Sequence, residues 1–153
     1  MDSDFQKPFA PPPTIFGILF LAGLGIDFIY PSPLMPLWLQ LGSGAGFITG
    51  GVLLIRSSMQ SIDRAGTTYN PYAASTTLVI SGIYRYTRNP GYLGLTVIQI
   101  GLALMIDSLW IAMTTIVAVM VTNQFVIRLE EEKLSCAFGQ EYQDYLSKVR
   151  RWI

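Results

Sequence analysis

The chain has 153 residues, enough for one domain; 51% are apolar and only 13% are charged, against about 25% in an ordinary soluble domain. Mean hydropathy is +0.43 and ten Lys and Arg balance ten Asp and Glu, which points to an integral membrane protein and excludes a nucleic-acid role carried by bulk charge. A single cysteine, Cys136, rules out an internal disulfide, and the lack of histidine removes imidazole both as metal ligand and as general base; with no carboxylate constellation to replace it, no metal site is expected.

Residues 1–13 are a polar, then proline-rich lead-in with Pro8, Pro11, Pro12 and Pro13. It has neither a basic n-region nor a small-residue cleavage site, so a signal peptide is not expected. Thr14 to Tyr30 is an apolar run broken only by Asp27, at the lower limit of the roughly 17–25 residues that span a bilayer. Pro31, Pro33 and Pro36 mark a tight turn, and a second apolar run covers 37–55. Gly42, Gly46 and Gly50 recur along it at every fourth residue, giving one smooth face on which another helix can approach closely, within the chain or in a homodimer. Residues 56–90 hold Arg56, Asp63, Arg64, Arg85 and Arg88, with Gly66, Pro71 and Gly82 as breakers, and read as a re-entrant or surface segment. Asn89-Pro90 then opens the third apolar helix, 90–106, with Asn89 at the N-cap and Pro90 at the first helical position. Asp107-Ser108 is a minimal turn, either residue being available as the next N-cap, before a fourth helix over 109–129 with Trp110 as an interfacial anchor. From Glu130 the chain turns amphipathic. Leu134, Phe138, Tyr142, Tyr145 and Val149 share a stripe, which predicts a tail helix over 130–153 lying along the membrane, with Gly139 a break.

The expected architecture is all-α: a polytopic membrane helical bundle of four transmembrane helices plus a C-terminal amphipathic cytoplasmic helix. Four spans put the N-terminus, the 56–90 loop and the tail on one side. All ten basic residues (Lys7, Arg56, Arg64, Arg85, Arg88, Arg128, Lys133, Lys148, Arg150 and Arg151) fall there, so that side is expected to be cytoplasmic.

The short link between helices three and four makes them an antiparallel hairpin. Arg85, Arg88, Asn89 and Tyr92 at the start of one then face Asn123, Gln124, Arg128, Glu130 and Glu131 at the end of the other. Arginines beside a helix N-terminus suit an anion, and the glutamates suit a cation, so the pair of walls suits a zwitterion. Tyr84, Tyr92, Tyr142 and Trp152 are available for a flat ring. Arginines at such a helix end also serve as topogenic or lipid-phosphate contacts, and successive glutamates as the solvated start of a surface helix.

The run Arg88-Asn89-Pro90-Gly91-Tyr92-Leu93-Gly94 resembles the Arg-His/Asn-Pro-x-Tyr-x-Gly motif of the isoprenylcysteine carboxyl methyltransferase and phospholipid methyltransferase families. Glu130-Glu131-x-x-Leu134, Phe138-Gly139-x-x-Tyr142-x-x-Tyr145 and Arg150-Arg151-Trp152 are similar to their C-terminal signature. Upstream, Gly66-Thr67-Thr68, Pro71 and Leu78-Val79-x-x-Gly82-x-Tyr84-Arg85 resemble bacterial members, so the likeness runs through residues 60–153. It implies an integral membrane methyltransferase of a bacterial or archaeal inner (plasma) membrane, using S-adenosylmethionine at the cytoplasmic end of the last helix pair. By this resemblance Arg85, Arg88, Asn89, Tyr92, Gly94, Glu130, Glu131 and Tyr142 would bind the cofactor, with Arg88, Asn89 and Glu131 closest to catalysis. Gly94 would permit its close approach, and one of the paired glutamates would hold its amino group. The acceptor would be a lipophilic small molecule or membrane lipid. Carboxylate O-methylation is favoured because a carboxylate is already ionised at neutral pH and needs no base. Phospholipid (phosphatidylethanolamine) N-methylation, and a non-catalytic binding or structural role, are the alternatives. Asn89 stands where isoprenylcysteine enzymes carry histidine; it can hydrogen-bond but cannot act as a base at neutral pH.

Overall fold

The computed structural model describes residues 10–66 and 77–153. Thr67, Thr68 and Pro71 lie outside them, as does most of the proline-rich lead-in. The described residues form helices α1 (Pro12–Ile29), α2 (Leu37–Arg64), α3 (Pro90–Ile106), α4 (Leu109–Thr122) and α5 (Arg128–Lys148). A 3-10 turn occupies Gly82–Arg85, and a π turn, Asn123–Ile127, joins α4 to α5 without a break.

Pro12 and Pro13 start α1, where their missing N–H groups cost nothing. Pro36 precedes α2. That helix is longer than expected: it continues through Arg56 and the polar stretch after it, as far as Arg64, where a surface segment was predicted. Its last turns carry the buried Ser58, Ser61 and Ile62, so they pack against the chain instead of ending at the membrane boundary. By length and composition α1, α2 and the continuous α4–α5 helix can cross a membrane, whereas α3 is an apolar helix of 17 residues.

Helix α2 packs against α3, and α1 against α4. The first pairing is antiparallel and unusually close. A Cβ on Gly51 would lie 2.7 Å from the Gly94 carbonyl, and one on Gly94 would lie 2.8 Å from the Gly51 carbonyl. One helical repeat away, Gly44 and Gly101 oppose each other in the same way, each virtual Cβ 2.9 Å from the other's carbonyl. Small residues spaced by seven therefore set this interface. The predicted stripe of Gly42, Gly46 and Gly50 does not contribute to packing among the described residues, none of which places an atom within 4 Å of the Cβ positions on any of the three. Within the chain, the face of α2 that packs is the opposite one, in register with a period of seven.

At the 107 end, α3 closes in a left-handed residue, Asp107 (φ 58°), which is buried. Its carboxylate accepts hydrogen bonds from the backbone N–H groups of Leu34 (2.6 Å) and Met35 (2.9 Å) and from Gln40 Nε2 (3.2 Å). Ser108, not Asp107, caps α4, accepting from Ile111 N at 3.2 Å. Ser32 Oγ accepts from Leu109 N and donates to Asp27, while Trp110 Nε1 donates to the Tyr30 carbonyl.

The tail is helical over most of the predicted 130–153 range, with different ends. α5 continues α4 and stops at Lys148; Gly139 inside it adopts φ 51°, ψ −123°, a conformation that favours glycine and breaks the helix at the expected place. Tyr142 and Tyr145 are buried, and Val149 is extended (φ −122°, ψ 131°), so residues 149–153 leave the helix.

Candidate active site

The 3-10 turn docks on the end of α2. Gly82, at φ 63°, lies against Ser61, and the Tyr84 hydroxyl shares a hydrogen bond of 2.9 Å with Ser58 Oγ. Tyr145 donates to the Tyr84 carbonyl at 2.7 Å. This fixes the entry into α3. Residues 87–89 then pair with the extended tail: Arg88 N donates to the Arg150 carbonyl (3.0 Å), and both Asn89 Nδ2 (2.9 Å) and Thr87 Oγ1 (3.3 Å) donate to the Arg151 carbonyl. Asn89 occupies the N-cap position, but its side chain makes no capping hydrogen bond. The amide is spent on the tail instead.

The π turn supplies the opposite wall. Along α4 the buried positions are Ile111, Thr115, Ala118 and Thr122, the three-to-four spacing of an inward face. Continued without interruption, that face would take in Phe125 and Leu129. The π turn inserts one residue, so Phe125 is 53% exposed while Val126 is fully buried, and Glu130 follows Val126 inward. Glu130, which begins the polar part of the helix beyond Leu129, accepts a hydrogen bond of 2.5 Å from the hydroxyl of Tyr92. Burial, offset in part by that bond, pushes the Glu130 carboxyl up from its ordinary 4.5 to about 7.

Glu131 is bound differently. Arg151 engages both of its oxygens, Nε to Oε1 at 3.0 Å and a terminal nitrogen to Oε2, and Arg88 reaches Oε1 at 3.3 Å. Arg151 also donates to Asn123 Oδ1 at 3.1 Å, an oxygen it shares with Trp152 Nε1 at 3.3 Å. Arg88 Nε is buried with no hydrogen-bond partner among the described residues. Tyr142 is buried beside these charges, and burial raises its hydroxyl to about 12.

Of the expected residues, Arg88, Asn89, Tyr92, Glu130, Glu131 and Tyr142 therefore converge at one end of the bundle. Arg85 and Gly94 do not join them. Arg85 is exposed at the end of the 3-10 turn. Gly94 is buried against α2, where backbone packing already requires a glycine, so no approach by a ligand is needed to explain it. Gln124 and Arg128, expected on the same wall, are exposed. The predicted acidic wall splits into two unlike carboxylates: Glu131 neutralised by arginines, Glu130 facing a tyrosine. The residues missed are Thr87 and Arg151. Arg151 stands in the sequence among the basic residues and within the Arg150-Arg151-Trp152 signature, with no spacing to link it to Glu131.

The arrangement fits a zwitterion. A largely buried guanidinium with an unused N–H suits a carboxylate, and a largely buried carboxylate that makes no ion pair among the described residues suits an ammonium. A groove lined by Glu131, Arg151, Arg128, Ser135 and Cys136 opens beside the cluster.

Comparison with known proteins extends this picture. A family model described as phospholipid methyltransferase matches residues 39–141. An uncharacterized protein of Haemophilus influenzae is 39% identical over 62 residues, covering 40% of this chain and 98% of that protein. Among solved structures, the eukaryotic intramembrane Ras methyltransferase, isoprenylcysteine carboxyl methyltransferase, superposes with a TM-score of 0.72 at 23% identity. The match covers 97% of this chain and 54% of that one, so the chain spans about half the length of that enzyme, with which it shares a fold. An integral membrane chain of apolar helices whose sequence matches the family model over two-thirds of its length, it belongs to the phospholipid methyltransferase family.

Proposed function

We propose that this chain is an S-adenosylmethionine-dependent methyltransferase that methylates a lipophilic acceptor at the cytoplasmic face of the membrane, with a carboxylate oxygen as the favoured target. The observation that carries the reading is the pairing, at one helix end, of Arg88 with its buried unpartnered Nε and Glu130, whose carboxylate makes no ion pair among the described residues. Arg88, with the α3 N-terminus, would receive the carboxylate of the cofactor's methionine part, and Glu130 would receive its ammonium. Glu131, engaged by two arginines, would not be available to bind the ammonium. Asn89 would hold the tail in place through the Arg151 carbonyl. Tyr142 would shield the site from water.

The cofactor, when bound, supplies an electrophilic methyl group on a sulfonium. The protein's own tasks are to orient that group against the acceptor and to exclude water. An acceptor carboxylate is ionised at neutral pH and needs no base, which agrees with a site that has no histidine. A second reading, N-methylation of phosphatidylethanolamine, is supported by the family's description and by Glu130, a group in the cluster whose proton affinity lies near neutral. The basic residues at this end support a cytoplasmic site. The open face of Gly42, Gly46 and Gly50 is left for lipid or a second copy of the chain.

Membranes containing the protein, supplied with methyl-labelled cofactor and then treated with mild alkali, separate the readings. Label released as methanol identifies a methyl ester, and label retained on an extracted headgroup identifies an N-methylated lipid. No labelled product in either fraction contradicts the enzymatic reading.

A further inference from the structure

The cluster holds two guanidinium groups, Arg88 and Arg151, and both meet one carboxylate, that of Glu131. The division is unequal. Arg151 lies side-on, using two nitrogens on two oxygens, the geometry that makes an arginine–carboxylate pair strongest. Arg88 has a single 3.3 Å approach, to an oxygen that already accepts from Arg151 Nε. Its side chain is only 14% exposed, and its own Nε has no partner. Arg151 is held in this posture from both sides, by Asn123 on its guanidinium and by Asn89 and Thr87 on its carbonyl. Without Arg151, both oxygens of Glu131 would be open to Arg88, which is already beside them. The resulting pair would neutralise the guanidinium that has to receive an anion.

We propose that Arg151 is a positioning residue that occupies Glu131 and thereby keeps Arg88 free for the carboxylate of the cofactor. The inference rests on the reading that Arg88 receives that carboxylate. It assigns the tail after Gly139 a specific task, delivering a competing cation to the site.

The test is calorimetric binding of S-adenosylhomocysteine, which retains the amino-acid part, and of methylthioadenosine, which lacks it. Arg151→Ala is expected to weaken S-adenosylhomocysteine at least about tenfold, the usual scale for a charge-assisted hydrogen bond, while methylthioadenosine binds as to wild type. Arg151→Ala with Glu131→Gln is expected to regain most of the affinity, because a neutral amide no longer competes for Arg88. Arg151→Lys, whose single ammonium cannot grip both oxygens, is measured in parallel and should fall between wild type and Arg151→Ala. It carries the test if thermal unfolding in detergent shows that the alanine variant does not fold. Equal losses in the single and double variants, loss of both ligands together, or wild-type affinity in Arg151→Ala overturns the proposal. If wild type itself binds neither ligand, it is the cofactor reading that has failed.

Discussion

The two ends of the bundle are built from the same chemical parts and finish them differently. At one end Asp107 gathers three N–H donors, and Ser108 and Ser32 satisfy the first amides of α4. Donors and acceptors there match, and the result is a clasp between the 30–36 turn and the α3–α4 link. At the other end the donors exceed what the acceptors can use. Glu131 is shared by two arginines, Arg88 keeps a buried N–H without a partner, and Glu130 is hydrogen-bonded to a phenol and makes no ion pair, all among the described residues. A buried polar group left unmatched costs stability, and groups of this kind gather where a ligand completes them. The closed end holds the helices in register, and the open end is held ready for charge.

The largest effect is expected from breaking the closed end. Asp107→Ala leaves the amides of Leu34 and Met35 without their acceptor and places alanine in a left-handed conformation. It should destabilise the protein by about 3 kcal/mol, read as a fall in thermal unfolding temperature in detergent. Ligand affinity in the protein that remains folded should match wild type, since the clasp lies at the far end of α3.

The next effect belongs to the open end and to pH. The folded protein holds the Glu130 proton more tightly than the unfolded chain does, with a carboxyl at about 7 against an ordinary 4.5. The stability that this proton contributes is present below the ordinary value and is lost as pH rises through about 7. Affinity for an ammonium-bearing ligand should move the opposite way, rising as pH passes 7, because only the ionised carboxylate attracts it. Calorimetric titrations of S-adenosylmethionine at pH 6 and pH 8 compare the two protonation states. Tyr92→Phe sharpens the point: without the hydroxyl that lowers the Glu130 pKa, the rise should shift to higher pH. Affinity at neutral pH should fall by about 1 kcal/mol, or fivefold. The smallest effect returns to the closed end. Ser108→Ala removes one helix cap and should cost about 0.5 kcal/mol in an unfolding titration, with no change in ligand affinity.

The helices themselves were legible from apolar run length and from proline, as at Pro12 and Pro36, and the Gly139 break was legible from the glycine alone. The α2 terminus was not, because Ser58 and Ser61 look polar in sequence yet are buried against the turn that follows. The true glycine seam was hidden by a more regular spacing on the opposite face. At the site, the Arg88–Tyr92 run and the paired glutamates stood out as charges flanking a hairpin. What separated Glu130 from Glu131 could not be read, because it depends on a one-residue π insertion and on an arginine twenty residues downstream of Glu131. Both are consequences of packing that no local pattern encodes.

The central claim is that the under-partnered Arg88 receives the carboxylate of a zwitterionic cofactor. It is tested most directly by titrating S-adenosylmethionine into purified wild-type protein and Arg88→Ala in a calorimeter. Glu131 keeps Arg151 in the variant, so the fold should survive, and affinity should drop about 100-fold, the scale for removing one partner of a buried charged contact. Equal affinity in the two proteins, or no binding by wild type, would contradict the account.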